Sequence, residues 1–215
     1  MSNKFIGILV FILVAGLGYG VYYLATAPIG IQSDGPRIDT RLDPVQVTDT
    51  LTTLPRMKLG SSTFFFNVKA QYQLKGLVVS TRHYIKGFAS RLSPYDFATV
   101  WGDVPNHLPY LHFNQIVRYC LFTYRSGAPI NKYYVLQHMA NNHMIPSNTN
   151  IRRALKMAHK GDVVQIDGYL VWVMGNLKDR GTTNWNSSLR RDDSGDGACE
   201  IIYVTKLQIN DQVYE

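Results

Sequence analysis

The densest run of side chains able to do chemistry lies near the C-terminus, from Trp185 to Glu200. Asp192, Ser194 and Asp196 stand at alternate positions before Gly197, which matches the opening of a calcium loop, where oxygen ligands alternate and glycine makes the sharp turn. The match then fails, because Tyr203 occupies the position where a bidentate Glu is needed, and Arg190 and Arg191 dilute the negative field. Calcium is therefore a weak alternative to having no cofactor. Arg190 and Arg191 beside glycine-rich backbone amides also suggest an anion cradle, but four acidic residues, Asp192, Asp193, Asp196 and Glu200, sit around them. Asp, Ser and Gly are equally the residues of a plain hairpin loop. That is the simplest account of the run, with Ser187, Arg190, Arg191, Asp192, Ser194, Asp196 and Glu200 kept as binding candidates.

Cys199 closes the run where a loop meets a strand, a placement that suits a thiol nucleophile. The stretch Ser194-Gly195-Asp196-Gly197-Ala198-Cys199 weakly resembles the cysteine loop of L,D-transpeptidases. Those enzymes carry a His shortly upstream and an Arg soon after. Here the nearest upstream histidine is His159, and Glu200 and Ile201 follow the cysteine. A thiol without a base or positive field beside it is a poor catalyst, and strand alternation places Cys199 with Ile201, Tyr203 and Leu207 on one face, as a small core residue. A second cluster runs from His138 through Asn141 and His143 to Pro146. Its two histidines are five apart, share no helix face and have no third ligand at metal spacing, so no metal is expected. The cluster reads as a turn, with His138 and Asn141 as binding candidates. If the chain is an enzyme, Cys199 or Ser188 acting with His143 is the catalytic set to look for.

Strands must position most of these residues. Thr63–Tyr72, Gln73–Ser80, Gln115–Tyr124, Lys132–Gln137 and Val163–Val173 are rich in Phe, Val and Tyr, and Trp185–Leu189 with Ala198–Leu207 reads as a closing hairpin. Val45-Gln46-Val47 adds an edge strand. Gly168 in mid-strand suggests a bulge or a barrel-like bend. Two helices are expected. One covers Tyr95–Trp101, with Ser93 as cap, Pro94 in the first turn and Asp96 at the positive dipole end. The other is Ile151–Ala158, with Asn148 or Asn150 as cap and Ile151, Ala154, Leu155 and Ala158 as a buried stripe. The expected fold is mainly β (α+β): an N-terminal transmembrane helix (1–27), a Pro/Gly-rich linker (28–60) and a small barrel- or sandwich-like domain (61–215) with one or two packed helices.

The anchor is the firmest expectation. From Phe5 to Leu24 no side chain is charged, enough to cross a hydrocarbon core of about 30 Å, and Tyr19, Tyr22 and Tyr23 gather at the interface end. Ala25-Thr26-Ala27 has the form of a signal-peptidase site, but Pro28 directly after it blocks such cleavage, and the apolar run exceeds a signal core. The formal charge of +7 lies almost wholly after the anchor, which points to anionic partners or to plain solubility. Two cysteines, Cys120 and Cys199, are too few for a disulfide scaffold.

Four stretches carry a resemblance: Ser93-Pro94-Tyr95-Asp96 through Trp101-Gly102, His138 through Pro146, Gly161-Asp162 through Val171, and Trp185 through Glu200. In these the chain resembles a family of membrane-anchored bacterial proteins to which no activity is attached. The resemblance implies a bacterial, single-pass envelope setting. The short N-terminal tail before the anchor, in the commoner arrangement, stays inside, which places the soluble domain in the periplasm at the inner membrane. It also makes Asn141, His143, Ser187 and Ser188 part of a family pattern. The function expected is binding or scaffolding of another envelope component, a protein or an anionic glycopolymer, beside the bilayer itself. An envelope hydrolase or transferase is the alternative. Nucleic-acid binding by a barrel of oligonucleotide-binding type is a second alternative that rests on charge and one strand, and nucleic acid is not expected as a partner.

Overall fold

Long strands that change partners along their length close the domain into a barrel. A computed structural model describes residues 3–87, 89–177, 181–190 and 199–215. The anchor is α1 (Asn3–Thr26), and short strands β1 (Ile31–Gln32), β2 (Val45–Val47) and β3 (Met57–Leu59) follow it. Then come β4 (Ser62–His83), β5 (Tyr95–Val100), a 3-10 segment (Val104–Tyr110), β6 (Leu111–Ile116) and β7 (Tyr119–Tyr124). The chain continues through α2 (Lys132–Gln137), β8 (Met139–Pro146), α3 (Thr149–Ala154), β9 (Val163–Leu177), β10 (Gly181–Asn186), β11 (Cys199–Ile209) and β12 (Gln212–Tyr214). The expected mainly β domain with few helices behind an N-terminal apolar helix is what forms. Among the described residues α1 is the one helix long and apolar enough to cross a membrane, with Gly7–Thr26 as its span.

A straight strand of 22 residues would run about 70 Å, far beyond a small domain. β4 therefore bends: it pairs with β9 from Thr63 to Leu77 and with β5 from Leu77 to His83, with register shifts at Val68/Ala70 and Val78/Ser80. β5 then pairs with β8, β8 runs parallel to β11, and β11 returns to β9. The ring β4–β5–β8–β11–β9 is closed. Its third and fifth strands are parallel and a helix joins the third to the fourth, which is the connectivity of the Greek-key barrel of oligonucleotide-binding type. Tyr72, Leu74, Phe97, Met144, Ile166, Leu170, Ile202 and Leu207 fill the interior, and Ile151, Ala154, Leu155 and Ala158 plug one end as the expected buried stripe. α3 itself stops at Ala154, however, and Leu155 and Ala158 follow in the turn beyond it rather than in a helix over Ile151–Ala158. Gly168 sits where β9 is flanked by β4 and β11 at once, and a Cβ there would lie 2.1 Å from the Tyr203 carbonyl oxygen.

Two further cores clothe the barrel. Phe64, Leu92, Ile145, Val171, Val173 and Ile201 form one, with Trp185 packed against it; Val79, Ala98, Val100, Leu111, Phe113 and Val135 form the other, beneath the β6–β7 hairpin. These outer layers explain where sequence and structure differ. Tyr95–Trp101 is not the expected helix but β5, a strand buried on both faces, so its continuous apolar run hides the period of two. Lys132–Gln137 is α2 rather than a strand, because the Asn131 side chain accepts from Tyr133 N at 2.7 Å and caps it. His138–Pro146 is not a turn: β8 spans Met139–Pro146, with Asn141, Asn142 and His143 all buried. Gln115–Tyr124 is folded back at Val117–Arg118, and β10 pairs with β9, so Trp185 belongs to a β9–β10 hairpin rather than to one with β11. The 28–60 segment is stitched to the barrel, with β1 on β12 and both β2 and β3 on β4.

Candidate functional site

The outer face of β5, β8 and β11 carries the polar residues, and three insertions surround it. The first is the β4–β5 connection, beginning at Tyr84. The second is the β6–β7 hairpin, inserted between the second and third barrel strands. The third is the β9–β10 hairpin with Trp185. Together Tyr84, Lys86, Arg118, His143, Trp185 and Cys199, with Asn184, Asn186 and Tyr119 at the rim, line a cleft of about 580 Å³.

Asp96 on β5 lies at the centre of this constellation, fully buried. Arg118 Nη1 donates to Asp96 Oδ1 at 3.0 Å, and Nη2 donates to the Ser93 carbonyl at 2.8 Å. His143 Nδ1 stands 2.9 Å from the same carboxylate oxygen, without the alignment of a hydrogen bond. The Arg118 guanidinium lies over the Tyr84 ring at 4.1 Å and over Trp185 at 5.5 Å, and the His143 ring packs 4.7 Å from Trp185. Cation, imidazole and two aromatic rings thus hold one another in place. Burial lowers the Arg118 guanidinium, and Asp96 and Tyr84 beside it work against that. Burial first, and Asp96 second, push the Tyr84 phenol up to about 12. Tyr84 Oη lies near the carboxylate but is not aligned to bond to it; Tyr84 Oη and Asp96 Oδ2 are buried without a hydrogen-bond partner among the described residues.

The hairpin that delivers Arg118 is strained. Val117 and Arg118 both have positive φ, 45° and 67°, in a two-residue turn that ordinarily uses Asn and Gly. What holds it is the Gln115 network. Ser80 Oγ donates to Gln115 Oε1 at 3.0 Å, Arg82 Nη1 donates to its carbonyl at 2.6 Å, and Gln115 Nε2 donates to Asn141 Oδ1 at 2.7 Å. Asn141 Nδ2 in turn donates to the Arg118 carbonyl at 2.8 Å, and the Cys199 thiol points to the same oxygen from 3.7 Å.

Among the residues predicted from sequence, His143 and Cys199 share the cleft and Asn141 lies behind it. Ser188 does not line it, and its Oγ accepts from Arg190 N at 3.0 Å in a local turn. Ser187 is buried: its Oγ donates to Glu200 Oε2 at 2.8 Å and accepts from Ile201 N at 3.1 Å, pinning the chain as it leaves β10. His138 sits elsewhere, at the C-cap of α2, stacked on Tyr134 with ring centroids 3.8 Å apart. Arg191, Asp192, Ser194 and Asp196 lie outside the described residues, and the calcium and anion readings with them. Among the described residues no group of three His, Cys, Asp or Glu side chains is placed to hold a metal ion. Sequence reasoning missed Tyr84, Asp96 and Arg118. One signal was present: Asp96 is the only charge in the apolar run Tyr95–Val100.

No protein family, no curated protein and no solved structure matches this chain.

Proposed function

We propose that this is a membrane-tethered binding protein of the bacterial cell envelope, with its barrel in the periplasm, and that the cleft takes a stretch of an envelope glycan. The anchor helix supports the tether, and the family resemblance supports the setting. The observation that carries the ligand class is the wall of the cleft. Tyr84 and Trp185 are aromatic faces held rigid on either side of Arg118, while Asn184 and Asn186 present exposed amides at the rim. Aromatic platforms with fixed amides suit sugar rings, which are apolar on their faces and polar at their edges. Barrels of this connectivity use the outer face of their second and third strands, between the first and last connecting loops, for oligosaccharides as well as oligonucleotides. That is an analogy of fold, and charge decides between the two ligands here. Arg118 is committed to Asp96 and Ser93, which leaves Lys86 as the cleft's exposed cation among the described residues. A strand of phosphates needs a track of cations.

The test uses the full chain in detergent micelles, titrated with a tetrasaccharide of N-acetylglucosamine and with a single-stranded oligonucleotide, read by tryptophan fluorescence. The sugar is expected to bind, and Trp185→Ala to weaken it about tenfold, the effect of losing one stacking ring. Binding of the oligonucleotide alone, or of neither probe, overturns the reading.

A second reading, thiol hydrolase or transferase chemistry, has one observation in its favour. Cys199 and His143 line the same cleft, and Asp96 stands behind the imidazole. A thiolate made by His143 would be alkylated by iodoacetamide in mildly acidic buffer and would lose that reactivity in His143→Ala. Slow alkylation in both proteins removes this alternative.

A further inference from the structure

The chain leaving the anchor is fastened to the barrel almost at once. α1 ends at Thr26. Three residues on, the Ile29 amide donates to Asn150 Oδ1 at 2.7 Å, and its carbonyl accepts from Asn150 Nδ2 at 2.9 Å. Ile31 and Gln32 then pair with Val213 and Gln212, and Ser33 N donates to the Asp211 carbonyl at 2.7 Å. Asn150 belongs to the first turn of α3, and three residues of extended chain reach at most about 11 Å. The layer of headgroups on each side of the hydrocarbon core is itself about 5–8 Å deep. If α1 spans the bilayer, as the proposed function assumes, this end of the barrel stands at the headgroups with no slack to move away.

What this end presents is suited to that place. Ile29 and Ile31 are 77% and 72% exposed beside the anchor, and Met157 is 43% exposed just beyond α3. Lys156 and Lys160 are exposed and Arg153 half-buried, and no carboxylate pairs with any of these three among the described residues. The acidic groups nearby, Asp162, Asp211 and Glu215, are held in local contacts, of which only that of Glu215 pairs it with a permanent cation among the described residues. Asp162 accepts from His159 N at 2.8 Å and from Asn210 Nδ2 at 2.9 Å, Asp211 accepts from Gln32 Nε2 at 2.8 Å, and Glu215 pairs with Lys206 at 3.1 Å. Asp34 adds a carboxylate on the tether, and Asp39 further along it pairs with Arg41 at 2.8 Å.

We propose that this end of the barrel docks on the anionic headgroups of the bilayer that α1 crosses. Ile29 and Ile31 enter the interface, and Arg153, Lys156 and Lys160 take the phosphate-bearing headgroups. Docking makes the anchor and barrel one oriented unit rather than a domain on a flexible leash.

The experiment reconstitutes the full chain into lipid nanodiscs, of phosphatidylcholine alone or with phosphatidylglycerol added. Lysines are acetylated briefly with a water-soluble reagent and read by peptide mass spectrometry. Labelling of Lys156 and Lys160 should fall several-fold in the anionic discs, while Lys132, on α2, stays constant, and raised salt should restore it. The Arg153→Glu variant should weaken that protection while still entering the discs. Equal labelling in both discs overturns docking, and so does protection that is the same in both lipids and indifferent to salt. A chain that does not co-purify with discs overturns the anchor reading itself, and docking with it.

Discussion

Asp96 is a carboxylate with no exposed surface, and it persists because Arg118 reaches back from a hairpin tip to meet it. A buried pair of this kind adds little over an apolar pair, yet breaking it leaves an uncompensated charge in the interior. Arg118→Met keeps the stem over Tyr84 and removes the charge, and it should cost about 3–5 kcal/mol in urea unfolding. Adding Asp96→Asn should recover part of that loss, since the orphaned charge goes with it. A single variant within about 0.5 kcal/mol of the parent would mean that His143 alone accommodates the acid. The strain at Val117 belongs to the same account. A β-branched residue in the left-handed region costs about 1–2 kcal/mol, and the docked Gln115 and Arg118 contacts outweigh it. Strain held by its surroundings at a cleft is the kind of outlier that accompanies a site.

At the scale of elements, legibility followed exposure of the pattern. The α3 stripe was legible because its cap, Asn148, and its buried positions lie in one contiguous stretch, and the Asn148 side chain does accept from Ile151 N at 2.9 Å. β9 was legible because one of its faces is less buried than the other. β5 and β8 were not, since both faces are covered and the alternation disappears under the hairpin. The Ser93-Pro94 signal reads as a helix start, yet Arg118 binds Ser93's carbonyl and the chain continues as strand. The site was half legible: His143, Cys199 and Asn141 announced themselves by type. Asp96, Arg118 and Tyr84 come from three separate elements: β4–β5 pairing sets Tyr84 beside Asp96, and the β6–β7 hairpin has to fold back over β5 before Arg118 reaches them. Gly168 was legible as a bend, and its reason is now specific. Gly168→Ala should destabilise the barrel by about 2–3 kcal/mol, because the β11 backbone cannot withdraw from the added methyl group. Gly35→Ala, whose Cβ would meet only Ser33 Oγ at 3.6 Å, serves as the matched control and should be near neutral. Equal urea midpoints for the two variants would show that β9 and β11 separate easily at that point.

At the scale of the whole molecule, a core inside the barrel and two more outside it bury ionisable groups that water would otherwise reach, and alkaline pH reads that burial directly. Burial, with Cys199 beside it, pushes the Cys120 thiol from 9.0 up to about 12, and the Tyr84 phenol rises from 10.0 to about 12. Burial also raises Tyr95 on β5, Tyr203 on β11 and Tyr124 on the β6–β7 hairpin. In every case the unfolded chain gives up its proton at lower pH than the folded chain. Between about pH 9 and 12 the folded state therefore binds more protons than the unfolded one, and stability falls as pH rises. Below about pH 8 these groups are protonated in both states and contribute no slope. The melting temperature should accordingly be level from neutrality to about pH 8 as far as these groups are concerned, then decline steadily. Cys120→Ala and Tyr84→Phe should each make the alkaline decline shallower without changing the neutral side. The measurement is a series of thermal melts of the full chain in micelles across that range. A melting temperature that stays flat to about pH 11 would mean that the hairpin and the Tyr84 loop open to solvent while the barrel remains folded, and that the walls of the cleft they frame are not held in place in the way the geometry indicates.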